Sequence, residues 1–154
     1  MIQPLNLPTY LFNTKSENGR TYILDIIRRK YILLTPEEWV RQNIIRYLNE
    51  EKKFPLSLMA LESGFKLNKR QKRTDVMVFD RNGKALAIVE CKAPPVALTS
   101  AVFDQILRYN LIYNVPFLII TNGLQHYCCK LDYKMNRHEF LKEIPEYGLI
   151  SGVD

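Results

Sequence analysis

The chain has 154 residues, of which 47% are hydrophobic and 25% charged, and its 22 Lys and Arg outnumber its 16 Asp and Glu. This length and composition indicate one globular domain, residues 1–154, whose core needs no disulfide or metal to fold. They exclude a disordered, collagen-like or coiled-coil chain.

The net charge of +6 is concentrated in one run of eight residues, 66–73. This run has five basic side chains and no acid, while the other 17 Lys and Arg almost balance the 16 Asp and Glu. Such a run is either a solvated loop or a surface that holds phosphates. Its basic residues are Lys66, Lys69, Arg70, Lys72 and Arg73.

Three sequence features bear on the compartment. The segment Met1–Pro4 lacks the basic and apolar regions of a secretory signal. The uncharged segment 109–129 has the length of a membrane span, but Asn, Pro, Gly and His interrupt it, which favours a helix end, two strands and a turn. The three cysteines form no Cys-x-x-Cys pattern, and the adjacent Cys128 and Cys129 would point to opposite faces of a strand. We therefore expect a protein of the reducing cytoplasm that does not contact a membrane.

In chain order, the first predicted elements are a β-hairpin and a helix. Residues 1–20 are rich in Pro, Asn and Ser and are expected to be irregular. The β-rich runs 21–25 and 30–34 predict an N-terminal hairpin. Thr35-Pro36-Glu37-Glu38 then predicts a helix over about 36–50, with Thr35 as the N-cap and Glu38 completing a capping box.

The next predicted elements are three strands. Leu56–Leu61 is expected to be a strand that leads into the basic run. Residues 74–79 and 85–92 are apolar strands on either side of Asp80-Arg81-Asn82-Gly83, and an Asn-Gly step favours a tight hairpin turn. These two strands are therefore expected to be antiparallel.

The last predicted elements are a helix over about 100–113, strands over 115–121 and 124–131, and a short helix within 136–143. Thr99 or Ser100 can cap the first of these helices. The whole order predicts an α/β or α+β domain with helices around a mixed sheet, a core over about 22–131 and a C-terminal extension over 132–154.

The strand over 85–92 carries two charges at its end. Glu90 and Lys92 are two residues apart, so they project from the same face of an otherwise apolar strand, and such an inconsistency often marks a functional site. Counted outward from Asn82-Gly83, Asp75 and Glu90 lie opposite one another in an unbulged hairpin. Two carboxylates this close repel unless a cation lies between them, and a hard divalent ion such as Mg²⁺ or Mn²⁺ meets that need. Lys92 would then orient an attacking water or stabilise the charge that develops on a phosphate.

The alternative is an ordinary salt bridge at the strand end, between Asp75 and either Lys92 or Arg73. The complete pattern favours the metal site, because a phosphodiester substrate explains both the paired carboxylates and the basic run beside Asp75.

Asp75, followed after fifteen residues by Glu90-Cys91-Lys92, resembles the PD-(D/E)XK nuclease signature, with Thr74 where that signature has Pro. Gln105-Ile-Leu-Arg-Tyr109 resembles a Gln-x-x-x-Tyr motif of the same superfamily. The run from Leu34 to Gln42, LTPEEWVRQ, and Thr121-Asn122-Gly123 resemble the N-terminal nuclease domain of type I restriction enzyme R subunits.

This resemblance implies a restriction-endonuclease-like core with element order αβββαβ and a Mg²⁺-dependent or Mn²⁺-dependent DNA endonuclease activity. It implies Asp75, Glu90 and the Cys91 backbone carbonyl as metal ligands and Lys92 as the catalytic lysine. Gln105 and Tyr109 would line the site, although they also suit a polar helix flank. Glu37 is implied as an accessory acid, and compensation of the helix dipole is its other reading.

R subunits continue into a motor that has a Walker A loop, G-x-x-x-x-G-K-[ST], and this chain has no such motif. It is therefore either a stand-alone nuclease-like protein or a fragment. The alternative to an enzyme is a non-catalytic module that binds nucleic acid through the basic run, or an assembly module of a restriction or repair complex. DNA, other restriction-system subunits and a second copy of the chain are the expected partners.

Overall fold

The structure, a computed structural model, describes residues 2–61 and 76–152. These residues form a three-stranded sheet, a six-stranded sheet and three α-helices, which confirms the predicted mixed α and β class. The strands are, in chain order, β1 (Thr14–Glu17), β2 (Arg20–Asp25), β3 (Lys30–Leu33), β4 (Met59–Leu61), β5 (Val76–Phe79), β6 (Ala85–Cys91), β7 (Phe117–Thr121), β8 (His126–Asp132) and β9 (Arg137–Phe140). The α-helices are α1 (Pro36–Glu50), α2 (Ser100–Asn110) and α3 (Tyr147–Ser151).

The larger sheet has the strand order β4-β5-β6-β7-β8-β9. Its β6 and β7 are parallel, and its other neighbouring strands are antiparallel. A parallel pair needs a long crossover connection, which residues 92–116 supply by means of α2. The carboxyl ends of β6 and β7 therefore lie side by side at one end of the strands, and the chain leaves β6 there towards α2.

The hairpin of β5 and β6 has the predicted register. Val76 pairs with Val89 and Met77 with Ile88, as the count from Asn82-Gly83 requires, although a bulge shifts the pairing at Val78 and Phe79. At the turn, the Asp80 Oδ1 atom accepts hydrogen bonds from the backbone N–H groups of residues 82 and 84, both at 2.8 Å. The bulge is confined to the turn end, so it does not change which residues face each other near Glu90.

Two hydrophobic cores lie on opposite faces of the larger sheet. The α1-side core packs residues of α1, such as Ile44 and Leu48, against Val89 and Cys91 of β6. The α2-side core packs Ile106 of α2 against residues that include Met77, Ile88, Leu118 and Ile120. Cys128 belongs to the α1-side core and Cys129 to the α2-side core, so these adjacent residues point to opposite faces of the sheet, as predicted. Burial raises the pKa of these two thiols to about 12 and about 11.

Helix α1 begins as predicted, but its capping box is absent. The Thr35 Oγ1 atom accepts a hydrogen bond from the Glu38 backbone N–H at 3.0 Å. The Glu38 carboxylate turns inward instead of back to the cap, and it accepts hydrogen bonds from Arg41 and Gln42. The prediction was wrong on this point because two buried donors compete for that carboxylate.

A buried carboxylate joins the smaller sheet to α1. Asp25 is fully buried and accepts hydrogen bonds from the backbone N–H groups of Ile27 and Arg28, at 2.8 and 2.9 Å. The Arg28 guanidinium and the Gln42 amide also donate to it, at 2.8 and 3.2 Å. This single carboxylate therefore fixes the turn between β2 and β3 and docks that turn on the helix.

Several predicted elements differ from those observed. Residues 1–20 were predicted to be irregular, but Thr14–Glu17 forms β1, which makes the predicted N-terminal hairpin three-stranded. The helix predicted within 136–143 is instead β9, because pairing with the long strand β8 outweighs local preference. Two elements are shorter than predicted: residues 56–58 and 111–113 are 3₁₀ turns beside β4 and α2.

Replacing Gly123 by Ala is expected to lower the free energy of unfolding by about 2 kcal/mol, because Gly123 has φ +88° and an added Cβ would lie 2.7 Å from the Leu5 Cδ2 atom. Gly19→Ala is the matched control, since Gly19 has φ +77° with no atom within 4 Å of the added Cβ. The control should cost about 1 kcal/mol. Urea unfolding of both variants measures the difference, and equal losses would show that the contact with Leu5 carries no energy.

Candidate active site

The end of β6 sends adjacent side chains to different faces of the larger sheet. Val89 and Cys91 face α1, whereas Ile88 belongs to the α2-side core, and Glu90 shares the face of Ile88 by the alternation of the strand. The Glu90 side chain is completely buried. The sequence thus places a carboxylate within the apolar α2 side of the sheet.

Lys92 is the cation that the structure brings to Glu90. Its Nζ atom lies 3.6 Å from Glu90 Oε2, and the Lys92 side chain is 24% exposed. The Lys92 backbone N–H donates to the Thr121 carbonyl at 2.9 Å, so the end of β7 fixes the position of the residue. Burial of a carboxylate is costly unless cations or hydrogen-bond donors offset it. Glu90, at the end of β6, therefore needs such partners, and Lys92 is one of them.

Gln105 and Tyr109 lie one turn apart on an exposed side of α2. Phe103 lies on the opposite flank, where its ring centroid is 5.2 Å from that of His138 in β9. The helical spacing therefore directs the flank of Gln105 and Tyr109 away from β9 and towards the β6 side of the sheet. This is the side on which Glu90 and Lys92 lie.

Glu37 lies on the other side of the sheet. Its carboxylate binds the buried Arg41 guanidinium at 2.9 Å, and Arg41 also forms an ion pair with Glu38. Burial alone would lower the pKa of Arg41, but the Cys91 thiol and the carboxylates of Glu38 and Glu37 raise it. Glu37 therefore pairs with Arg41 on the α1 side of β6, where Arg41 interacts with Cys91, whereas Glu90 belongs to the opposite face.

The remaining predicted site residues lie outside the described residues. They are Asp75 and the basic side chains Lys66, Lys69, Arg70, Lys72 and Arg73. Within residues 2–61 and 76–152, no group of three or more His, Cys, Asp or Glu is arranged to hold a metal ion.

The donors at the end of β6 are of the kind that a hard cation prefers. The Glu90 carboxylate offers oxygen atoms, and the Cys91 thiol, a soft donor, faces the opposite core. Oxygen ligands suit Mg²⁺ and Mn²⁺, whereas thiolates suit softer metals. The residues present therefore fit the predicted Mg²⁺ or Mn²⁺ better than a zinc or copper ion.

The buried polar side of α1 was not found from the sequence. Glu38, Arg41 and Gln42 are buried, and together with Ile45 they have the i, i+3, i+4, i+7 spacing of a core-facing stripe. The sequence patterns assigned Glu38 to the helix cap and gave Arg41 and Gln42 no role. Charged and amide residues at the spacing of a core-facing stripe were the signal that could have predicted the buried hydrogen bonds of Arg41 and Gln42 to Glu38.

A family model described as Type I restriction enzyme R protein N terminus (HSDR_N) matches residues 36–145. A solved structure, a fragment ascribed to an HsdR subunit of a type I restriction enzyme from Vibrio vulnificus YJ016, is 27% identical over 49% of this chain, with a TM-score of 0.35. The chain spans 14% of the length of that protein. Comparison with curated proteins gives no match.

Among the helices of the described residues, none combines the length and the apolar character needed to cross a bilayer. The segment 109–129 instead contains a helix end, two strands and the turn between them, as predicted.

Proposed function

Because the chain belongs to the family Type I restriction enzyme R protein N terminus (HSDR_N), we propose that it is a Mg²⁺-dependent DNA endonuclease of the PD-(D/E)XK class. The observation that carries this proposal is the fully buried Glu90 at the end of β6, with the Lys92 ammonium 3.6 Å away. A core that had only to be stable would place apolar side chains at such a position.

The order of elements supports a restriction-endonuclease-like core. Helix α1 is followed by β4, β5 and β6, then by α2 and β7, which is the expected order αβββαβ. The register of β5 and β6 supports the pairing of the two acids, since the count that puts Asp75 opposite Glu90 also predicts the observed pair of Val76 and Val89.

In the proposed site, Asp75, Glu90 and the Cys91 backbone carbonyl would hold the Mg²⁺ ion. The bound ion would supply positive charge to the phosphodiester that is cleaved. Lys92 orients the attacking water and stabilises the charge that develops on the phosphate oxygens. Gln105 and Tyr109 position the DNA backbone from the flank of α2, and Glu37 supports the site indirectly by holding Arg41 beside Cys91.

We further propose that the basic run binds the DNA backbone through Lys66, Lys69, Arg70, Lys72 and Arg73. Residues 1–154 would form one nuclease-like domain. Other subunits of a restriction system are its proposed partners, and a homodimer would allow both strands to be cut. A motor that drives translocation is not part of the proposal, because the chain has no Walker A loop.

Plasmid nicking tests the proposed function. The purified chain should convert supercoiled plasmid to the nicked form with Mg²⁺ or Mn²⁺ and not with EDTA. Asp75→Asn and Lys92→Ala should each reduce the rate more than about 100-fold, because each removes charge that acts on the phosphate.

Glu139→Gln is the matched control for these variants, because Glu139 is an exposed acid on β9. It should nick at the wild-type rate. Nicking that persists in both Asp75→Asn and Lys92→Ala would overturn the assignment.

The alternative, a non-catalytic module, predicts a different set of results. DNA binding would depend on the basic run alone, no nicking would occur, and Glu90→Gln would have no effect. The burial of Glu90 beside Lys92 does not favour this alternative, since binding to phosphates does not need a buried acid.

A further inference from the structure

An exposed aromatic groove of about 330 Å³ lies between the start of α2 and the last two strands of the larger sheet. Ile120 of β7 lines it, together with side chains from α2, β8 and β9. The groove is defined by Phe103, Asp104, Ile120, Tyr127, His138 and Phe140. The proposed function assigns no role to it.

The rings of the aromatic groove contact one another and still face solvent. The ring centroid of Phe103 is 4.9 Å from that of Phe140, and the ring of Phe140 is 6.1 Å from that of Tyr127. Phe140 is 50% exposed and Tyr127 is 38% exposed. Covering exposed aromatic surface of this kind with a flat ring lowers the free energy of the complex.

The aromatic groove lies in the same cross-strand row as the buried Glu90 of the candidate active site. Glu90 pairs with Ile120 across β6 and β7, and Ile120 pairs with Tyr127 across β7 and β8. The three residues form one row across the sheet, so Tyr127 lies two strand spacings, or about 10 Å, from Glu90. A DNA strand whose phosphate lies at Glu90 and Lys92 can therefore reach the groove with a neighbouring nucleotide.

The charge of the aromatic groove selects a base and not a phosphate. Asp104 contributes a carboxylate, and no Lys or Arg is found among the described residues that line the groove. Asp104 disfavours a phosphate there and offsets the positive end of α2, whose Thr99 and Ser100 also line the groove, whereas Lys92 provides the positive charge beside Glu90. A nucleobase is neutral, stacks on aromatic rings, and can donate an amino or imino N–H to a carboxylate.

We propose that the aromatic groove binds an unstacked base of the DNA strand, next to the phosphodiester at Glu90 and Lys92. This inference rests on the proposed function, because it assigns the groove to the same substrate. It specifies a single-stranded or locally opened strand as the preferred form. Tyr127, Phe103 and Phe140 provide stacking surfaces, and His138 and Asp104 contact the edge of the base.

Photo-crosslinking in EDTA tests the inference without cleavage. A thymidine oligonucleotide that carries one 5-iodo-2′-deoxyuridine should, after irradiation of the complex, form an adduct on Tyr127, His138 or Phe140. Mass spectrometry of the digested protein locates the adduct. Adducts that occur only elsewhere, or no binding of the oligonucleotide at all, would overturn the inference.

Phe140→Leu supplies a second measurement that leaves the fold intact, because it keeps an apolar side chain and removes the ring. Binding of the oligonucleotide, measured by fluorescence anisotropy, should weaken about tenfold. Tyr31→Leu is the control, since Tyr31 is a similarly exposed aromatic residue on β3 of the other sheet. Equal binding by Phe140→Leu and wild type would contradict the stacking role.

The two proposals fail in different ways. Nicking by the wild type without an adduct in the aromatic groove would overturn only the base-binding inference. An adduct in the groove with no nicking in Mg²⁺ or Mn²⁺ would overturn the endonuclease activity and support base binding by the groove.

Discussion

Glu90→Gln is expected to abolish Mg²⁺-dependent nicking while it preserves or increases the stability of the chain. The substitution keeps the size of the side chain and removes a charge that is completely buried. Desolvating a buried charge is costly, so the neutral amide removes a cost that offsets the loss of the ion pair with Lys92. Lys92 loses its ion-pair partner, but its partly exposed side chain can be solvated by water.

Urea unfolding with EDTA and with Mg²⁺ separates the two effects. Saturating Mg²⁺ should raise the free energy of unfolding of the wild type and not of Glu90→Gln, because a ligand stabilises only the state that binds it. In EDTA the variant should be at least as stable as the wild type. A variant that is less stable by more than about 2 kcal/mol in EDTA, and is still stabilised by Mg²⁺, would show that Glu90 is structural and not a metal ligand.

Asp25→Ala is expected to cost about 3 to 5 kcal/mol of unfolding free energy, the largest loss from any single substitution considered for the scaffold. The change removes four hydrogen-bond acceptor contacts and the 2.8 Å ion pair with Arg28. It also leaves the donors of Arg28 and Gln42 partly buried with fewer partners, which is more costly than the loss of the bonds themselves. Denaturant unfolding measures this loss.

Asp80→Ala is the matched control for Asp25→Ala. Asp80 also begins a turn and accepts two backbone N–H hydrogen bonds, but those bonds are exposed to solvent. Its replacement should cost about 1 kcal/mol. Similar losses for the two variants would mean that burial and the contacts with α1 contribute little at Asp25.

Local signals were sufficient to predict the elements closest to the site. The Thr35 cap and the Pro36-Glu37-Glu38 start predicted α1, which spans Pro36–Glu50. The Asn-Gly turn predicted the register of β5 and β6, and strand alternation predicted that Glu90 and Lys92 share a face. These features depend on residues that are close in the sequence, so propensity and periodicity determine them.

Contacts between distant residues were the part that the sequence did not reveal. Strand β9 follows a turn at Asn136, where φ is +51°, and it pairs with β8. Its local sequence, without that pairing, was interpreted as a short helix. Strand β1 depends on the turn at Asn18 and Gly19, both with positive φ, and this Asn-Gly step is the local signal for the β1–β2 hairpin. The burial of Arg41 beside Cys91 and the aromatic groove both require tertiary packing that no local pattern encodes.

The hydrogen bond from the Lys92 backbone to Thr121 also has a consequence for the kinetics of folding. The hairpin of β5 and β6 is local and can form early, whereas the parallel pairing of β6 with β7 must close a loop of more than twenty residues that includes α2. Lys92 acquires its final position only when that slower pairing is complete. A chain that is still folding therefore does not yet hold the Lys92 ammonium beside the Glu90 carboxylate.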